Sequence, residues 1–126
     1  MSEHVCIQIF QECTGEHSHP YPQILVPLQE TMRIRAEEME YEVKLQELFF
    51  IPPGMNHRCN YRGRLLVLNL PLEVLDNREV AALCYPTVVS MHGQITQLVE
   101  LIQSELRQNP DSKSVRHLYS YLYSKL

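Results

Sequence analysis

The hydrophobic period changes once along this 126-residue chain, and that change limits the fold more than any other feature. Up to about residue 71, apolar residues alternate with polar ones or run in short blocks, the pattern of strands. From residue 94 they recur every three or four positions, the pattern of amphipathic helices. The chain is therefore expected to be mainly β, with helices confined to its C-terminal quarter. At this length one domain is the default, and its core can be large enough to need neither disulfides nor a structural metal.

In "VCIQIF", Val5, Ile7 and Ile9 alternate with Cys6 and Gln8, which predicts a half-buried strand. "YPQILVPL" is a second strand, with Pro22 and Pro27 pointing to an edge or a bend. "TMRIRAEEMEYEVKL" reads as a hairpin. Met32, Ile34 and Ala36 share one face with Met39, Tyr41 and Val43. A turn at Glu37-Glu38 sets Arg35 opposite Glu40 and Arg33 opposite Glu42, pairing opposite charges on the outer face. Two glutamates suit a tight two-residue turn poorly, because such turns want positive φ. "ELFFI" and "RLLVLNLP" are wholly apolar strands, and Pro52-Pro53-Gly54 is a corner after the first of them. Residues 72–93 are mixed, with a short helix expected around Arg78 to Leu83.

Ile95, Leu98, Val99, Ile102 and Leu106 form one helical stripe that stops before Pro110. Val115, Leu118, Tyr119, Leu122 and Leu126 form a second, with Asp111 or Ser112 as its cap. The expected organisation is a β domain over 1–93 and a helical hairpin over 94–126. The second stripe runs to the last residue without a stop signal, as expected of a helix at the junction with a further segment. Its Leu118, Tyr119, Leu122 and Leu126 either dock on the β domain or pack against a second subunit, and a homodimer is the favoured expectation.

Composition excludes several classes. The net charge is −4 and the eleven Lys and Arg are scattered, which disfavours nucleic-acid binding by this segment. No apolar run approaches a membrane span, and the N-terminus lacks the charged start and apolar run of a signal peptide. Cys6, Cys13, Cys59 and Cys84 form no C-x-x-C pair, so a reduced cytoplasmic protein is expected.

The chemistry-bearing stretch is "HSHPYPQ". On a strand His17, His19, Tyr21 and Gln23 point one way, and His57, Cys59 and Tyr61 share a face further on. If the strands curl into a small barrel, three imidazoles converge on its interior. Such a set suits a divalent transition metal such as Zn, Ni, Mn or Fe, with Gln23 as a weak fourth ligand. Tyr21 and Tyr61 offer hydroxyls to a ligand, and both also suit plain aromatic packing. His4, His92 and His117 show no spacing that suggests a site.

These residues resemble the two motifs of the cupin superfamily over roughly residues 15–71. His17, His19 and Gln23 stand at the two histidine positions and the glutamate position of the first motif, and Glu30 stands at its closing glycine. Pro52, Gly54 and His57 match the second motif, where Gln46 and Tyr61 replace its glycine and asparagine. Gln23 exchanges an anionic ligand for a neutral one. More narrowly, His-x-His-x-Tyr-x-Gln-Ile-Leu, then Met-Arg-Ile, then Phe-Ile-Pro-Pro-Gly-x-x-His, then two helical stripes, is similar to the N-terminal sensor domain of AraC-type transcription regulators. The resemblance implies a cupin β-barrel, or double-stranded β-helix, that binds a small polar effector. It implies dimerisation through the helices, and DNA contact only through a C-terminal domain outside this sequence. The expected ligand residues are His17, His19, Tyr21, Gln23, His57 and Tyr61, with no catalytic residue assigned. The alternative is a stand-alone metal-dependent cupin enzyme of oxygenase or isomerase type, built on His17, His19 and His57.

Overall fold

The computed structural model describes residues 5–10, 17–61, 63–69, 84–109, 112 and 114–125. It contains eight strands: β1 (Val5–Phe10), β2 (Gln23–Pro27), β3 (Met32–Ala36), β4 (Met39–Val43), β5 (Glu47–Ile51), β6 (His57–Asn60), β7 (Gly63–Asn69) and β8 (Thr87–Ser90). Two helices follow, α1 (Gln94–Gln108) and α2 (Val115–Ser124). The strands form an antiparallel five-stranded sheet in the order β1-β7-β2-β5-β8 and a three-stranded sheet in the order β4-β3-β6.

Among the described residues the strands form two sheets packed face to face, without showing the closure of the expected barrel. Side-chain parity explains the layering. Leu25, Phe49, Ile51, Leu65 and Val67 leave the large sheet on one face and meet Met32, Ile34, Ala36, Val43, Cys59 and Tyr61 of the small sheet region. Ile24, Val26, Leu48, Phe50, Leu66 and Leu68 leave on the other and meet Ile95, Leu98, Val99, Ile102, Val115 and Leu122 of the helices. The large sheet is thus covered on both faces, which is why its strands are continuous apolar blocks rather than alternating ones. Burying one side chain the size of Phe50 contributes about 1.5–3 kcal/mol.

The second helical stripe is consumed by this core. Leu122 is fully buried and so is not available to a second subunit, whereas Leu118 packs against the same cluster and stays partly exposed. Leu126 and the side chain of Tyr119 lie outside the described residues. Among the described residues of the helices, the exposed large apolar side chains are Leu101 and Tyr121. The Ser112 Oγ donates to Glu105 Oε1 at 2.7 Å, tying the segment before α2 back to α1. Asp111 and the helix expected over 78–83 lie outside the described residues.

The β3–β4 hairpin has the expected register, with Arg35 opposite Glu40 and Arg33 opposite Glu42. Arg33 Nη2 lies 3.6 Å from Glu42 Oε2. The tight turn is made despite its residues: Glu37 has φ 55°, a conformation that costs a side-chain-bearing residue about 1–2 kcal/mol. Met39, expected inside, is 62% exposed because it projects past the end of the core. Pro27 sits on a central strand, not an edge. Its pairing with β5 stops at Leu25, so its missing N–H deprives no partner.

Candidate functional site

The register divides the space between the sheets into two ends. At one end Gln23 lies opposite both Asn69 of β7 and Ile51 of β5. Ile51 leads into the Pro52-Pro53-Gly54 corner, where Gly54 has φ 75° and its N–H donates to the His19 carbonyl at 2.7 Å. The chain then enters β6 at His57. His57 and His17 exchange two backbone hydrogen bonds of 2.9 and 3.0 Å, an isolated antiparallel bridge that fastens the His-x-His segment to β6.

This scaffold gathers the expected imidazoles. The His57 ring centroid lies 5.5 Å from that of His19 and 6.4 Å from that of His17. Tyr21 stacks on His19, with centroids 5.2 Å apart and ring planes 15° apart. His57 is buried, His19 half-buried and His17 exposed, so the cluster runs from the interior to the surface. His57 Nδ1 lies 3.2 Å from the Met55 carbonyl. With its proton on Nδ1, that nitrogen donates to Met55 and leaves Nε2 as an acceptor. Burial holds the pKa of His57 below the ordinary 6.5, with neighbouring His19 and His17 adding to the effect against the hydrogen bond to Met55. Burial, then His17, lowers His19 as well. Burial therefore favours the neutral form of both rings.

Gln23 joins this end from the sheet. Its side chain is buried, and Nε2 donates to Asn69 Oδ1 at 2.6 Å. Parity places it on the face that carries Leu25, between the two sheets. Asn69 is a site residue that sequence reading missed. The signal was a polar residue closing the apolar run "LLVLN", but its partner is 46 positions away.

Tyr61 lies at the opposite end, four residues and about 13 Å along the chain from His57. Its hydroxyl accepts from the N–H groups of Gln29 (3.2 Å) and Glu30 (3.1 Å) and donates to the Arg64 carbonyl (3.2 Å). The expected ligand role does not fit a hydroxyl committed to three backbone groups; Tyr61 pins the loop after β2. Cys59, on the same β6 face, is buried in the core between the sheets.

For the expected metal, the donor set is the test. Among the described residues no group of three or more His, Cys, Asp or Glu side chains is arranged to hold an ion. The glutamate position of the motif carries an amide that is already bonded to another amide.

Known proteins place the chain near regulators. It is 26% identical over 130 aligned positions to the uncharacterised HTH-type transcriptional regulator YobQ of Bacillus subtilis (strain 168), across 87% of this chain and 54% of that protein. The chain thus spans about half the length of the curated relative it matches. No family model matches. Among solved structures it is similar to the conserved protein SPY1581 of unknown function from Streptococcus pyogenes, at 20% identity and a TM-score of 0.47, over 56% of this chain and 68% of that one. The chain is a distant relative of a transcriptional regulator. None of the helices among the described residues is long and apolar enough to cross a membrane.

Proposed function

We propose that this chain is the effector-sensing domain of a transcription regulator of AraC type, with a cupin-like sheet pair that binds a small polar molecule at its histidine end. The observation that carries the reading is the cluster of His17, His19 and His57, with Tyr21 stacked on it, at one end of the apolar core between the sheets. Convergent polar groups at the mouth of an otherwise apolar space are the usual anatomy of a small-molecule site. Similarity to an HTH-type regulator over most of this chain supports a sensing rather than a catalytic use. DNA contact belongs to a separate domain, since this segment is acidic overall.

Occupancy would be transmitted through the large sheet. Phe50 and Ile24 touch the helices from one face of the strands whose other face lines the site region. A ligand that favours one packing of those strands shifts how α1 and α2 are presented. The exposed Leu101 and Tyr121 are the residues with which the helices would meet a second copy.

The test is to fuse the chain to a helix-turn-helix domain that binds DNA only as a dimer. A fusion that occupies paired half-sites, and whose occupancy changes with an added metabolite, supports the reading. A fusion that stays monomeric and unresponsive across a broad metabolite panel contradicts it.

A further inference from the structure

We infer that the histidine end takes its ligand directly rather than through a metal ion, and that the Gln23–Asn69 amide pair is the element that decides this. The inference rests on the sensor-site reading above and names how that site recognises its ligand.

Three observations carry it. Gln23 stands where the motif has its anionic ligand, and a neutral amide oxygen compensates none of the charge of a divalent cation. Two or more positive charges held in a half-buried site without a carboxylate carry a large desolvation cost. Second, the Gln23 amide is not loose. Nε2 is bonded to Asn69 Oδ1 at 2.6 Å, between residues that face each other across the β2–β7 ladder. That bond fixes the amide in a place where Gln23 is only 7% exposed, and leaves the neutral Oε1 as the atom it could offer an ion. Third, no set of three or more ligating side chains among the described residues is arranged around a common point.

The pair also has something to offer a ligand. Among the described residues the Gln23 side chain makes this one hydrogen bond, although an amide can make several. Its remaining capacity, on the face turned between the sheets, suits a ligand that donates and accepts hydrogen bonds itself. Gln23 is then a specificity-determining residue: it excludes the cation and reads polar groups of the ligand.

The experiment compares the wild-type chain with Gln23→Glu. Each is dialysed against Ni2+, Mn2+ or Zn2+, then against metal-free buffer, and its metal content and melting temperature are measured. The expected result is a wild type that retains no stoichiometric metal and whose melting temperature does not move. Gln23→Glu should bind Ni2+ or Mn2+ at least about tenfold more tightly, because the carboxylate adds the anionic donor that the amide cannot supply. A wild type that keeps one metal per chain through dialysis overturns the inference. So does a folded Gln23→Glu with no gain in affinity. Should Gln23→Glu fail to fold, the wild-type dialysis alone decides. A stoichiometric metal would leave the sensor reading standing, since a sensor can read through a metal, whereas failure of the fusion assay would leave the metal result untouched.

Discussion

The two ends of the sheet pair are built from similar materials and finished differently. At the Tyr61 end every polar atom of the hydroxyl is spent on backbone: two N–H groups and one carbonyl close on it. Gly63 and Gln29 complete the seal. Gly63 has φ 123°, and a Cβ there would come within 2.9 Å of Gln29 Oε1. At the histidine end, backbone bonds hold His17, His19 and His57 together, and the side chains of His57 and Gln23 each make one hydrogen bond that leaves another polar atom of the group over. One end has the economy of a structural joint and the other the surplus of a binding site. Polar side chains that are held in place yet not used up are what a ligand needs.

Substitutions should separate the ends. Tyr61→Phe strands the N–H groups of Gln29 and Glu30, at about 1–3 kcal/mol for each unsatisfied buried group, while the Arg64 carbonyl keeps the N–H of Leu28. Thermal unfolding should show a drop of several degrees, and metabolite binding should be unchanged. Gly63→Ala should cost of order 1–3 kcal/mol through backbone strain and the clash with Gln29. If Tyr61→Phe is as stable as wild type, the joint is not a joint.

His19→Ala should do the opposite. His19 is half-buried and makes its link to the corner through backbone, so unfolding should shift by under about 1 kcal/mol. Loss of a convergent polar contact should weaken ligand binding by about tenfold or more.

Acid should loosen the histidine end. His19 and His57 have folded pKa values below the unfolded 6.5, so the unfolded chain takes up protons first as pH falls. Their contribution to stability is fully present above 6.5 and is lost as pH falls through their folded values. Melting temperature should therefore decline below pH 6.5, and the decline should shrink in His57→Ala. An equal decline in that variant would assign the acid sensitivity to other groups. The smallest effect is expected at Glu42→Ala, where the exposed pair with Arg33 is worth about 0–1 kcal/mol.

Much of this architecture is legible in the sequence where the signal is local. The β3–β4 register follows from two Arg–Glu pairs across a two-residue turn, and both helical stripes from spacing alone. The apolar blocks "LFFI" and "LLVL" read as buried strands, but not as members of a sheet covered on both faces. That needs the helices, from the far end of the chain, to fold back on it. β8 was missed although "TVV" is rich in β-branched residues, because a four-residue edge strand is shorter than any periodic window. The histidine cluster was legible because alternate spacing and a corner sequence mark it. Tyr61 was misassigned for the converse reason: its face on β6 is set by parity, but its partners Gln29 and Glu30 come from a loop about thirty residues earlier. The dimer face was placed on Leu122 because a stripe identifies an apolar surface without saying which surface covers it.

The most direct test of the central claim is a thermal-shift screen of small polar metabolites against the wild type, Tyr61→Phe and His19→Ala in parallel. A ligand of the histidine end should raise the melting temperature of wild type and Tyr61→Phe by similar increments, and leave His19→Ala unmoved. A ligand that stabilises His19→Ala as much as wild type would put the binding site elsewhere and contradict the account.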